Sequence, residues 1–308
     1  MIELCLLGTG GMMPLVNRFL TSLFVKCNGY GLLIDCGEAT QIAIKKAKLS
    51  TADIDYILIT HFHADHISGI SGLLLSMGNC DRVKPVIIVG PKGLEFVIRS
   101  LLVIAPELPF DIHFVECDAK SDFINFMPYR VQYFKLKHKI PCLGYNLFID
   151  RLPEFKPEKA KENNVPIKYW NKLQHGKTIK DEETGIKYTP SMVTGESRKG
   201  IKISYLTDTR PCDNIYKLCN DSDLFICEGM YGDETKKDSV KAKMHMTMQE
   251  ACEIATKTNP KEMWLTHYSP AENKPQIYED DLKKIFKNVF IVKDGTKKTL
   301  YYDDENNV

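Results

Sequence analysis

The chain has almost no net charge: its 41 Lys and Arg face 40 Asp and Glu across 308 residues, for a formal +1. A strongly basic nucleic-acid binder carries an excess of cations, so any grip on a polyanion must come from a local patch. No run of 18 apolar residues occurs, and no membrane span is predicted. No apolar leader with a cationic flank opens the sequence. The ten cysteines (5, 27, 36, 80, 117, 142, 212, 219, 227 and 252) are scattered, and none forms a Cys-x-x-Cys pair. They read as reduced, mostly buried thiols of a cytoplasmic protein. The glycine turn Gly8 to Gly11 lacks the third glycine of a dinucleotide fingerprint, because Met13 stands there. It is left as a place where backbone approaches a site closely.

What is present begins with 44% hydrophobic content, enough for a sizeable core in one large or two small domains. The chain is organised around Tyr56 to Gly72. Tyr56 to Thr60 reads as a buried strand. His61, His63, Asp65 and His66 follow within six residues, and then an apolar helix from Ile67 to Met77. Carboxyl ends of strands are where open α/β sheets place their ligands. Imidazole suits zinc, and carboxylate extends the choice to manganese or iron. Asp65 and His66, being neighbours, are expected to point apart, so all four cannot converge on one ion. The reading is two ions side by side, with His61 and His63 on one and Asp65 and His66 on the other.

The rest of the chain repeats that placement. Ile2 to Leu7 reads as a strand, and Phe19 to Lys26 and Tyr30 to Asp35 as a pair around an Asn28-Gly29 turn. A helix is expected over Ala39 to Ala47. Asp35 at its strand end suits two roles, orienting a ligand histidine from behind or capping that helix. Val86 to Gly90, Gly93 to Ile104 and Ile112 to Glu116 read as strand, helix and strand, and Arg130 to Leu136 as a further strand ending at His138. Lys202 to Thr207 runs into Asp208, Leu224 to Cys227 into Glu228, and Met263 to Thr266 into His267. Thr247 can cap a helix opening at Met248, with Glu250 in its first turn. A helix from Glu279 to Phe286, a strand from Phe290 to Val292 and a polar tail close the chain. Six of the eight histidines fall at such ends; His113 and His175 do not.

Residues 151–200 change character, with eleven basic and seven acidic residues and Tyr169-Trp170 among lysines. Two readings stand: a patch that grips a nucleic-acid backbone, or a solvated excursion over a sheet edge.

The ligand set then closes. One ion takes His61, His63 and His138; the second takes Asp65, His66 and His267; Asp208 bridges them. Three or four protein ligands and an open position make a catalytic site rather than a structural one. Two ions about 3.5–4 Å apart clamp a phosphoryl oxygen and lower the pKa of a shared water to roughly 7. Asp65 can orient that water or take its proton. His245, oriented by Glu228, can protonate the leaving alkoxide; the other reading of His245 is a stabiliser of the helix start.

These residues carry a resemblance. LLGTGGMMP with Arg18, LLIDCGEATQ, ITHFHADHISGISGLLLS, LKHKIPCLGY, LTDTRP, CEGM, HMT with its downstream EA, and LTHYSP occur in the order of the ribonuclease Z family, within the metallo-β-lactamase superfamily. HxHxDH marks only the superfamily; DCGEATQ, the Gly-Tyr after His138 and DTRP resemble ribonuclease Z more narrowly. The resemblance implies an α/β fold, a four-layer αβ/βα sandwich over residues 1–308, with the Lys-rich insertion at about 151–200. It also implies two zinc ions, a homodimer and a precursor tRNA substrate cut at its 3′ side. The chain departs from the family at Cys227-Glu228-Gly229-Met230, where His-Glu-Ala-Thr is usual, and at His245-Met246-Thr247, where His-Ser-Thr is usual. Ala271 stands where an arginine is common, and Val165 to Trp170 where the Gly-Pro-rich arm is usual. Other functions remain in view: a phosphodiesterase for small or cyclic-nucleotide esters, a lactone or thioester hydrolase, and an RNA-binding module with structural metals.

Overall fold

The computed structural model describes residues 1–105 and 107–303. The last five residues of the span expected to form one domain therefore lie outside the described residues.

The chain forms two compact units. The larger comprises Met1–Phe148 and Lys202–Tyr301 and is built on two seven-stranded sheets. In the first sheet the order is Thr296–Leu300, Ile2–Gly8, Ser22–Cys27, Tyr30–Ile34, Ile54–Leu58, Val86–Pro91 and Ile112–Cys117. Its first four strands pair antiparallel, through the Asn28-Gly29 turn predicted from sequence, and its last four pair parallel. The second sheet runs Val289–Ile291, Met263–Thr266, Leu224–Glu228, Arg198–Leu206, Cys142–Arg151, Tyr129–Leu136 and Ser121–Phe126. Its first four strands are again parallel neighbours. Parallel strands buried on both faces read as continuous apolar runs, and IDYIL, LFICE and MWLT are buried along their whole length.

The two sheets meet face to face through tyrosines. Tyr129 donates its hydroxyl to the Tyr30 carbonyl at 2.8 Å, Tyr145 to Ile59 at 2.7 Å, and Tyr56 to Met127 at 2.9 Å. A buried phenol needs such a partner, so these bonds fix the sheets laterally as the rings fill the interface. Helices Thr40–Lys46, Ile70–Gly78 and Leu94–Leu101 cover the outer face of the first sheet. Asp213–Cys219, Met248–Thr258 and Glu279–Ile285 cover that of the second. The result is the four-layer αβ/βα sandwich.

The smaller unit comprises Ile149–Ile201 with Tyr302 and Asp303. It holds helices Pro157–Glu162 and Ile167–Gln174 and a short antiparallel pair, Ile179–Lys180 with Lys187–Tyr188. Its own small core is Ala160, Val165, Leu173, Tyr188 and Val193, with Tyr169 and Trp170 packed against it.

Several boundaries differ from expectation. The helix expected from Ile67 to Met77 is two helices, Ala64–Ile67 and Ile70–Gly78. Part of the expected polar tail, Thr296–Leu300, is an edge strand on Ile2–Gly8. Its lysines fall on opposite faces and only Leu300 is buried, so composition hid it. Strands Ser121–Phe126 and Cys142–Arg151 were also missed.

The break at Gly69 has a cause. A Cβ there would lie 2.1 Å from the Gly37 carbonyl oxygen, while Gly69 N donates to Cys36 O at 2.9 Å. Two backbones thus touch without side chains between them, pressing the Asp35 loop onto the His66 turn. Gly69→Ala is expected to lower stability by about 1–3 kcal/mol through overpacking. Urea unfolding should report it as a lower midpoint at unchanged slope.

Candidate metal centre

The site is assembled at strand carboxyl ends from both sheets. Three of its residues, Asp35, Asp208 and His267, sit in left-handed backbone (φ 60°, 32° and 59°). Non-glycine residues rarely do so, and such strain persists where the surroundings enforce it. Each marks the point where a strand turns sharply to aim a polar side chain inward. His267 is further held by the glycine turn: a Cβ on Gly11 would lie 2.6 Å from the His267 ring.

Among the described residues the possible donor atoms form three overlapping clusters: His61, His63, His138 and Asp208; Asp65, His66 and His267; and Asp208, Glu228, His245 and His267. The seven donors predicted from sequence fill the first two. In the first, His61 Nε2 lies 3.0 Å from His63 Nδ1, which lies 3.3 Å from His138 Nε2. Asp208 Oδ2 is 3.4 Å from His61 Nε2 and 3.7 Å from His138 Nε2. In the second, His66 Nε2 and His267 Nε2 are 3.2 Å apart, with Asp65 Oδ2 at 3.5 and 3.3 Å from them. Asp208 Oδ1 is 3.2 Å from His66 Nε2 and 3.0 Å from His267 Nε2. Donors bound at about 2.0–2.1 Å around a tetrahedral ion are separated by about 3.4 Å, and both groups have that spacing. The expected divergence of Asp65 and His66 is not observed. The one-turn helix that carries them lets the short carboxylate and the longer imidazole lean toward the same point.

Asp208 Oδ1 supplies the sharper test of fit. It is buried and has no hydrogen-bond partner although two imidazole nitrogens flank it. A buried carboxylate oxygen left unpaired is costly, and a cation between it and those nitrogens removes the cost.

Protonation follows the same logic. Burial lowers the pKa of His61, His63 and His138, the last to about 4, so their lone pairs are free near neutrality. Burial opposes charge on Asp208, but His267, His66 and His61 outweigh it and hold the carboxyl well below the usual range. Against burial, Asp208, Asp35 and Asp65 raise His66 well above its ordinary value. The carboxylates thus draw positive charge into the second group.

Behind the donors, Asp35 Oδ2 accepts from His66 Nδ1 at 2.9 Å, and Asp35 Oδ1 accepts from the Thr60 amide at 2.8 Å. The Thr60 hydroxyl lies 2.9 Å from Asp35 Oδ2 and 3.0 Å from His61 Nδ1. With His61 Nε2 turned to the site, Nδ1–H donates to Thr60, which donates to Asp35. One carboxylate therefore orients an imidazole in each group. His138 Nδ1 donates to Met244 O at 3.2 Å, and the Met12 amide donates to Asp65 Oδ2 at 2.7 Å. To one side, His245 Nδ1 meets Glu228 Oε2 at 2.8 Å, with its Nε2 3.9 Å from Asp208 Oδ2. Burial works against charge on His245, but Glu228 prevails and raises its pKa to about 9.

Comparison with known proteins decides the family. A model described as a β-lactamase superfamily domain matches residues 154–268, and one described as anti-Pycsar protein Apyc1 matches residues 2–103. A curated ribonuclease Z of Lachnospira eligens is 50% identical over 307 residues, 99% of this chain and 100% of its own. The ribonuclease Z of Lachnoclostridium phytofermentans is 49% identical over 303 residues, 98% of this chain and 99% of its own. The chain belongs to the ribonuclease Z family. Among solved structures, the short form of human tRNase Z superposes with a TM-score of 0.69 at 24% identity, covering 96% of this chain and 98% of that one. The metallo-β-lactamase fold protein YhfI of Bacillus subtilis gives 0.69 at 17% identity, covering 96% of this chain and 98% of its own. Both show the shared fold. That fold and the two donor groups together indicate a dinuclear metal site, and the family makes the chain a metal-dependent endoribonuclease.

In this family member, all seven donors predicted from sequence converge, and Asp35, Glu228 and His245 stand directly behind or beside them. His113 and His175 are exposed and belong to none of the donor clusters; His175 caps the helix Ile167–Gln174, its Nδ1 bonding Asn171 O. Sequence reasoning missed Thr60, Thr209, Arg210 and the donating Met12 amide. Thr60 had a signal, a hydroxyl directly before the first ligand histidine; Thr209 and Arg210 stood in the DTRP segment and Met12 in LLGTGGMMP, but nothing in the sequence gave them a role. Removing the Thr60 hydroxyl should loosen both groups. Thr60→Val is expected to weaken divalent-ion binding about 10–100-fold, and isothermal titration of metal-stripped protein measures it.

Proposed function

We propose that this ribonuclease Z family member cuts precursor tRNA on its 3′ side with two zinc ions, as a homodimer in the cytoplasm. The single observation that carries the metal reading is Asp208, which offers one oxygen to each donor group and leaves one of them unpaired in a buried site. Nitrogen-rich groups with tetrahedral spacing favour zinc. The family resemblance supports the homodimer. Among the described residues no helix is long and apolar enough to cross a membrane.

His61, His63 and His138 would hold one ion, Asp65, His66 and His267 the other, with Asp208 on both. When bound, the pair supplies an activated water and neutralises charge on the phosphate. This chain's own residues do the rest. Asp65 presents Oδ2 to the second group and, fixed by the Met12 amide, can orient the attacking water or accept its proton. His245 stands beside the cluster with Glu228 fixing Nδ1, which leaves Nε2–H, 3.9 Å from Asp208 Oδ2, free to donate. As the P–O bond to the leaving oxygen breaks, His245 gives that oxygen its proton. Its raised pKa keeps it protonated at neutral pH.

The test is product mapping on precursor tRNA with the metal-loaded protein. A cut near the discriminator base is expected, abolished by chelation and by His63→Ala in a variant whose circular dichroism is unchanged. His245→Ala is expected to lower kcat about 10²–10⁴-fold. Turnover of bis(p-nitrophenyl) phosphate without any cut in precursor tRNA would move the assignment to small phosphodiesters.

A further inference from the structure

The side chain of His245 is held by Glu228, but something must also hold its main chain. It lies between Met244, itself in left-handed backbone (φ 69°), and Thr247, which caps helix Met248–Thr258. Arg210 reaches this turn. One guanidinium nitrogen donates to the His245 carbonyl at 2.5 Å and to Glu250 Oε2 at 2.7 Å; the other donates to Glu250 Oε1 at 2.5 Å. Glu250 in turn accepts from the Thr247 amide at 3.0 Å. A capping box needs only Thr247 and Glu250, so the helix start does not explain Arg210.

Arg210 belongs to the strand end that carries Asp208. The Thr209 amide donates to Glu228 Oε1 at 2.5 Å, and the Arg210 amide donates to Lys137 O at 2.9 Å, beside His138. His138 closes the circuit by donating to Met244 O. Both members of the His245–Glu228 pair are thus fastened to the segment that bridges the two donor groups. The ion pair is largely buried, at 14% and 10% side-chain exposure, so water competes little for it. Its two-pronged geometry fixes direction as well as distance.

We propose that Arg210, locked by Glu250, is a positioning residue for the cut: it registers the His245 imidazole against the Asp208 strand end, so that the proton is delivered where the leaving oxygen departs. The inference rests on His245 acting as the general acid.

Two substrates separate this role from a structural one. Precursor tRNA leaves an alkoxide that needs a proton. Bis(p-nitrophenyl) phosphate leaves a stable phenolate that does not. Arg210→Gln is expected to lower kcat on precursor tRNA about tenfold to a hundredfold, while kcat on the activated ester changes by less than about threefold. Metal content by mass spectrometry should stay at the wild-type level. Arg210→Lys keeps the charge and loses the fork, which guards against a variant that fails to fold, and it should show the same imbalance. The double variant Arg210→Gln/His245→Ala should be no slower on precursor tRNA than His245→Ala. Equal losses on both substrates, or additive losses in the double variant, overturn the proposal. If His245→Ala itself slows both substrates alike, the general-acid reading falls, and the positioning role falls with it.

Discussion

A single buried carboxylate governs this molecule. Asp208 sits at a strand end with one oxygen facing His61 and His138 and the other facing His66 and His267. Burying a carboxylate among apolar strands is unfavourable unless positive charge meets it. The fold meets that demand by converging five imidazoles on the cluster and by giving Asp208, Asp35 and His267 a backbone conformation that glycine would adopt more easily. Local strain at three turns is the consequence of aiming these groups at common points.

The arrangement needs both sheets. Asp35 and His61 to His66 come from the carboxyl ends of parallel strands in the first; Asp208, Glu228 and His267 come from those of the second. Interior tyrosines bonded to backbone across the interface keep these ends in register. Orientation then passes outward through short polar chains. Asp35 reaches His66 directly and His61 through Thr60, while Thr209 and Arg210 tie Glu228, His245 and the His138 segment to the same strand end. Such supports set which ring nitrogen faces the site.

The small unit shows how composition can mislead. Tyr169 and Trp170 among lysines suggested a patch that grips a nucleic-acid backbone or a solvated excursion over a sheet edge. In the fold, Trp170 donates to Val165 O and Tyr169 to Asp181, and both pack on the unit's own core. What it presents outward is charge: Lys159, Lys161, Lys172, Lys177 and Lys180 are exposed. Exposed Glu154, Glu158, Glu162, Glu182 and Glu183 are interspersed with them, so the outward face carries both signs.

The residues that converge as candidate metal donors were legible in the amino-acid sequence because their chemistry is rare and their placement repeats. A histidine or aspartate directly after an apolar run signals a strand end, and six of eight histidines carried that signal. The parallel strands were legible for the same reason, since burial on both faces writes itself as an unbroken apolar run. Edge strands such as Thr296–Leu300 and Ser121–Phe126 were not, because half their residues face water and read as loop. Nor was the helix Ala64–Ile67 that carries Asp65 and His66, because one turn is too short to leave a periodic pattern. Thr60, Arg210 and Glu250 act through contacts between residues up to 40 positions apart. Hydroxyl, guanidinium and carboxylate groups occur throughout any chain, so only the three-dimensional packing singles these out. The sequence by itself determined which atoms can hold the ions; the tertiary structure decided which of their neighbours aim them.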